Sequence, residues 1–179
     1  MLEIERTCLV VVDVQGKLAE LMFDKQELFK NIEILIRGAK ILEMPIIWCQ
    51  QNPRALGETI DQLKTLLEDD IPVDKFSFSC CDDEAFAERL KAANCKHVIL
   101  CGIEAHICIY QTAMDLLDHE YDVHVIADAI SSRTEKNKQT AIRRIEWEGA
   151  AIGTTEMALF ELLSTAKHEK FRDIARLVK

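Results

Sequence analysis

The stretch His97-Val98-Ile99-Leu100-Cys101-Gly102-Ile103-Glu104-Ala105-His106-Ile107-Cys108 decides how this chain is read. Val98 to Cys101 form a continuous apolar run, as a strand does when both its faces are covered and neither needs polar side chains. Gly102 breaks the run, and the pattern beyond it implies a helix over 105–119. Cys108 therefore falls one turn into a helix, just past the carboxyl end of a strand. In a parallel α/β sheet that is where the ligand crevice opens. The positive end of a helix also tends to draw a thiol toward its thiolate.

The same alternation extends to both sides. Further Val- and Ile-rich runs occupy 8–12, 46–49 and 123–127, with a weaker one at 150–152. Between them, Leu28, Ile32, Leu35, Ala39 and Leu42 recur at steps of four and three, the stripe of a helix with one buried face. Phe86, Leu90 and Ala93 follow the acidic start Asp82-Asp83-Glu84, which suits a helix amino terminus. Helices are also expected over 135–148 and 154–166. Strands alternating with helices predict an α/β fold with a doubly wound, mostly parallel sheet and helices on both faces. The segment 168–179 places Phe171, Ile174, Ala175 and Val178 on one helical face, either docked on its own core or contacting another copy. No repeat or linker interrupts the pattern, so residues 1–179 read as a single domain.

Composition narrows the function. A formal charge of −9 argues against nucleic-acid or anionic-membrane partners and leaves a small molecule as the expected one. No apolar stretch approaches the roughly 20 residues of a membrane span. The amino terminus runs into a strand without the basic and apolar regions of a secretory signal. Seven cysteines without framework spacing fit reduced thiols, and the expected location is cytoplasmic. The six glycines contain no G-x-G, so the dinucleotide fingerprint is missing. The nucleophile elbow G-x-S-x-G is missing too, as are H-E-x-x-H and paired C-x-x-C zinc spacing.

Three chemically able side chains sit at strand ends. Asp13 closes the run Cys8-Leu9-Val10-Val11-Val12, where a carboxylate is costly unless solvated or paired, and where it could equally cap the Gln15-Gly16 turn. Lys75 ends the extended run Ile71-Pro72-Val73-Asp74 and precedes Phe76-Ser77-Phe78, an apolar setting for an ammonium. Cys108 could be a small buried helix residue or a nucleophile. A local Cys-His dyad with His106 is disfavoured, because residues two apart on a helix face away from each other. His97, His119, His124 and His168 stand singly, and Cys80-Cys81 matches no redox motif.

Taken in order, Val12-Asp13-Val14-Gln15, Lys75-Phe76-Ser77-Phe78, Gly102 to Cys108, Ala127-Asp128-Ala129-Ile130-Ser131-Ser132-Arg133 and Thr154-Thr155-Glu156 resemble the isochorismatase-like cysteine hydrolase family. The resemblance spans about residues 6–165. It implies a six-stranded parallel sheet, homo-oligomers, and a catalytic triad of Asp13, Lys75 and Cys108. It also implies a non-proline cis peptide between Ile103 and Glu104, and an oxyanion hole formed by the backbone N–H groups of Glu104 and Cys108. Family amidases acting on nicotinamide carry a histidine metal site after the second strand. Here that stretch reads Gln50-Gln51-Asn52, so neither a metal nor a cofactor is implied. Isochorismate-cleaving members typically lack the cysteine, so acyl chemistry on a small carboxamide or carbamoyl compound is the expected reaction. Gln15, Trp48, Gln50 and Phe76 are the expected pocket residues. The alternative is a non-catalytic or redox-responsive binding protein on the same scaffold, with Cys108 open to sulfenic-acid formation.

Overall fold

The computed structural model describes residues 1–68 and 70–179. Six strands form one sheet: β1 (Thr7–Val12), β2 (Ile46–Gln51), β3 (Val73–Lys75), β4 (His97–Ile103), β5 (Asp122–Ser131) and β6 (Ala151–Gly153). Their order is β3-β2-β1-β4-β5-β6 and every neighbouring pair is parallel. The α/β doubly wound architecture expected from the alternating pattern is the one observed.

Successive residues of a strand face opposite sides, so each continuous apolar run feeds two cores. Leu9 and Val11 of β1 join Ile99 and Cys101 of β4 on one face. There they meet α2 (Lys25–Ile41), α8 (Thr155–Leu163) and α9 (Phe171–Leu177), together with Leu63 of α4 (Asp61–Lys64). Cys8, Val10 and Val12 join Val98 and Leu100 on the other face, covered by α5 (Glu84–Ala92), α6 (Tyr110–Asp118) and α7 (Glu135–Trp147). The carboxyl-terminal helix docks on its own core: Ile174 is fully buried and Phe171 meets Phe160 edge-on.

Local signals act as expected at several ends. The Asp83 carboxylate caps α5 by accepting from the Ala85 and Phe86 N–H groups, and Thr134 and Thr154 cap α7 and α8. Two short helices, α1 (Gly16–Glu20) and α3 (Pro53–Leu56), lie in loops where no periodicity foretells them. The expected helix over 105–119 is instead a π-helical turn, Ala105–Ile109, leading into α6.

The strand order reverses between β1 and β4, and their carboxyl ends flank the crevice that such a reversal creates. Gly102 lets the two strands close up there. Its φ is +119°, and a Cβ at this position would lie 2.1 Å from the Val12 carbonyl oxygen. No helix among the described residues is long and apolar enough to cross a membrane.

Candidate active site

Asp13 is the first residue past β1, in the left-handed region with φ 55°, where its N–H donates to the Cys49 carbonyl at 3.0 Å. Its carboxylate is buried. Lys75 ends β3 two strands away and is 0 % exposed, so its ammonium must find all its partners within the protein. Nζ lies 2.8 Å from Asp13 Oδ2 and 2.7 Å from Gln51 Oε1, and donates to the carbonyls of Ser77 and Phe78 at 3.1 and 3.3 Å. The chain after β3 thus curls round the ammonium with its carbonyls turned inward. Burial alone would lower the Lys75 pKa, but the Asp13 charge and hydrogen bond, together with the neighbouring Cys80 and Cys108, outweigh it and the net shift is upward. Burial pushes the Asp13 carboxyl above its usual range, with Lys75 pulling the other way.

Cys108 is 7 % exposed. Burial raises its thiol pKa, and the Asp13 charge adds to this against the opposing pull of Lys75. A helix amino terminus would favour the thiolate; enclosure and a neighbouring carboxylate win instead. Asp13 Oδ1 has no partner of good hydrogen-bond geometry, and the Cys108 thiol is near enough to bear on the carboxyl's titration as a hydrogen-bond donor. Enclosure thus favours the protonated form of Cys108, and the Asp13 carboxyl lies close enough to receive that proton.

Asp13 and Cys108 line a cavity of about 100 Å³. Its other walls are Leu18, Gln51, Leu56, Phe78, Ile103, Glu104 and Ile107. The Ile103–Glu104 peptide is cis. The Glu104 carboxylate is pinned by Arg133, accepting from its backbone N–H at 3.2 Å and from Nε at 3.0 Å. Ile107 and Ile109 both donate to the Glu104 carbonyl, which winds the π-turn that carries Cys108. His106 is occupied elsewhere: Nδ1 is 2.9 Å from Ser132 Oγ and Nε2 is 3.4 Å from Asn137 Nδ2.

The structure thus brings Asp13, Lys75 and Cys108 together and places Glu104 beside them, while the four expected pocket residues lie elsewhere. Trp48 is buried between sheet and helices and, with Gln50, borders a separate hollow lined by Glu58, Lys64 and Ile71. Gln50 Oε1 accepts from the Thr59 N–H at 3.0 Å and so pins a loop. Gln15 acts as a clamp: Oε1 accepts from the Gln51 N–H at 2.6 Å, while Nε2 donates to the carbonyls of Gln51 and Gly57 at 3.2 and 2.6 Å. Phe76 is 75 % exposed and Phe78 stands in the cavity wall instead. Sequence reasoning misses Gln51, Leu18, Leu56 and Ile107. Strand alternation is a signal that could find Gln51, because Gln50 and Gln51 must face opposite sides.

Residues 7–157 match the family model described as the isochorismatase domain. The chain belongs to the isochorismatase family. It is 39% identical over 177 residues to a secreted isochorismatase effector, Isc1, of Phytophthora sojae, covering 96% of this chain and 83% of that one. Among solved structures it resembles one described as the MAR1 ribonuclease of Caenorhabditis elegans, at 35% identity and a TM-score of 0.93, covering 99% and 91% of the two chains. The YcaC gene product of Escherichia coli, described as an octameric hydrolase of unknown specificity, is 25% identical with a TM-score of 0.89, covering 98% and 88%. Membership of this family makes the chain an isochorismatase-family hydrolase. Two of the stretches that carry the resemblance also meet each other, Asp128 Oδ1 accepting from the Thr155 N–H and hydroxyl at 2.8 and 3.0 Å.

Proposed function

We infer that this chain is a cysteine-dependent hydrolase that cleaves the C–N bond of a small neutral carboxamide or carbamoyl compound through a thioacyl intermediate. The observation that carries the reading is the convergence of Cys108 and Asp13 on one small cavity, with Lys75 behind them. Asp13 takes the Cys108 proton as the sulfur attacks the acyl carbon. A carboxyl raised by burial is a stronger base than one in water, which suits that transfer. The backbone N–H groups of Glu104 and Cys108 receive the oxyanion, a contribution typically of about a hundred- to a thousand-fold in turnover. Asp13 then gives its proton to the departing nitrogen. Water attacks the thioester, its proton passes to Asp13, and cleavage of the C–S bond returns that proton to the thiol.

Two features support a neutral substrate. The ammonium of Lys75 spends its donors on four protein oxygens, so it holds the Asp13 charge rather than a ligand. The ionisable groups on the cavity wall are acidic or thiol, which disfavours an anion. The same charges, with the net −9 of the chain, are unfavourable to an RNA phosphate backbone, so the ribonuclease designation of the nematode protein is not carried over. A homo-oligomer and a reducing, cytoplasmic setting complete the proposal.

The test is a panel of small amides and ureido compounds with intact-mass detection. Turnover, and a thioester on Cys108 during it, is the expected result, with both lost in Cys108→Ala while the melting temperature holds. Equal turnover in Cys108→Ala, or hydrolysis of labelled RNA in place of amides, overturns the reading. Reversible modification of Cys108 by peroxide, with no acyl adduct from any amide, favours the redox-binding alternative.

A further inference from the structure

Away from the cavity, two thiols unused by the site lie against each other. Cys8 is fully buried in the amino-terminal half of β1, and Cys95 lies partly open to solvent in the link between α5 and β4. Their sulfurs are 3.1 Å apart although the residues are 87 apart in sequence. That is only about 1 Å beyond the ~2.05 Å of a bonded pair. Sheet register explains the approach. Thr7 pairs with His97 and Cys8 with Val98, and the Lys96 N–H donates to the Arg6 carbonyl at 2.8 Å. The chain entering β4 therefore runs alongside the start of β1, turned by Asn94 with φ 48°.

The two sulfurs are chemically unequal. Either thiol can donate to the other, and burial decides which keeps its proton. The hydrogen bond to Cys95, reinforced by enclosure, holds Cys8 well above the ordinary thiol range, while the bond from Cys8 holds Cys95 below it. A solvent-facing, thiolate-prone sulfur beside a protected, protonated one is the arrangement of an attacking and a resolving cysteine.

We propose that Cys8 and Cys95 form an oxidisable dithiol that reduces a hydroperoxide and closes to a disulfide joining β1 to the link before β4. The Cys95 thiolate attacks the distal peroxide oxygen. The O–O bond breaks, the leaving oxygen takes a proton, and Cys95 becomes a sulfenic acid. Cys8 then attacks the Cys95 sulfur, the S–O bond breaks, and the departing hydroxide takes the Cys8 proton as water. Two thiols supply two electrons and one peroxide is reduced. Cys8 and Asp13 are five residues apart along β1, ~17 Å at strand rise, so this chemistry is separate from the cavity and independent of the function inferred above.

Tryptic fragments Thr7–Lys17 and Ala92–Lys96 each hold one cysteine, which makes the test direct. The whole chain, as parent and as Cys108→Ala, is treated with a small excess of hydrogen peroxide, alkylated and digested. The expected product is the two fragments linked, at their summed mass less two hydrogens. Alkylation of Cys95 should fall about ten-fold or more, dithiothreitol should restore it, and the thermal midpoint should rise on oxidation. Cys95→Ser, a change at a partly exposed position, should abolish the link and the thermal shift. Cys8→Ala should leave Cys95 to proceed to sulfinic acid or to a mixed disulfide; if that variant does not fold, Cys95→Ser carries the comparison. Over-oxidation of Cys95 in the parent with Cys8 still alkylatable, a link from either to a different cysteine, or no change in either fragment overturns the proposal.

Discussion

Replacing Lys75 by methionine keeps most of the side-chain volume and removes the charge, so it isolates what the ammonium contributes. In the parent, Nζ serves Asp13, Gln51 and two backbone carbonyls from a fully enclosed position. Lys75→Met leaves the buried Asp13 carboxylate without its counter-charge. Removing one partner of a buried ion pair costs about 3–5 kcal/mol. For a chain of this size each kcal/mol moves the midpoint by about 2–4 °C, so a fall of about 6–20 °C is expected. The remedy distinguishes electrostatics from packing. Asp13→Asn combined with Lys75→Met removes both charges and should recover more than half of the loss in a double-mutant cycle read by urea denaturation. Acid should do likewise. With Lys75 gone, burial raises the Asp13 carboxyl further, so the folded form prefers the proton. The deficit of the single variant should then be small near pH 4 and grow as pH rises through the folded value. A Lys75→Met loss below about 1 kcal/mol, or strict additivity in the cycle, would refute the account of Lys75 as the counter-charge.

Alkaline pH should destabilise the reduced protein. Cys101 and Cys108 keep their protons in the folded state because burial raises them, while the unfolded chain ionises above about pH 8.5. Each such thiol therefore removes about 1.4 kcal/mol of stability per pH unit above that point, and Cys101→Ala should flatten the slope by that amount. Iodoacetamide should label Cys108 slowly at pH 7 and faster at each step up to pH 9; a rate already at its plateau below pH 7 would show a resting thiolate. Gly102→Ala should yield insoluble protein or an unfolding free energy in urea lower by about 3 kcal/mol or more, with a correspondingly lower midpoint, since the new Cβ meets the Val12 carbonyl at 2.1 Å. An unchanged midpoint would remove the argument for close strand approach at the crevice.

Much of the scaffold is legible in the sequence because both faces of the sheet are covered. Strands such as β1 and β4 are then apolar throughout, and helices such as α2 and α5 show a stripe. Asp13 and Cys108 stand out as polar groups where an apolar run stops. Lys75 is harder: β3 has three residues, and the side chain matters because of carbonyls at Ser77 and Phe78 that no residue pattern announces. The expected pocket walls err by one or two positions. Phe76 lies past the end of β3, two residues before the wall residue Phe78. Gln50 faces the opposite side of β2 from the wall residue Gln51, because the phase of a strand end is set by its register with its neighbour. For Gln51 that neighbour is Lys75 itself. Gln15 reads as a pocket group, yet it binds backbone, a use that any amide side chain could have and that composition cannot distinguish. Likewise Cys8 and Cys95 give no signal, since neither their spacing nor their neighbours resemble a redox motif.

The π-turn Ala105–Ile109 makes the aim of the sulfur depend on the number of residues as well as on their kinds. Such a turn is an α-helix holding one residue too many. Deleting that residue restores ordinary winding and rotates the chain before the splice by about 100° against the helix beyond it. A descendant could thus keep every side chain of the cleft and the whole sheet beneath it, and still fall silent through a lost codon.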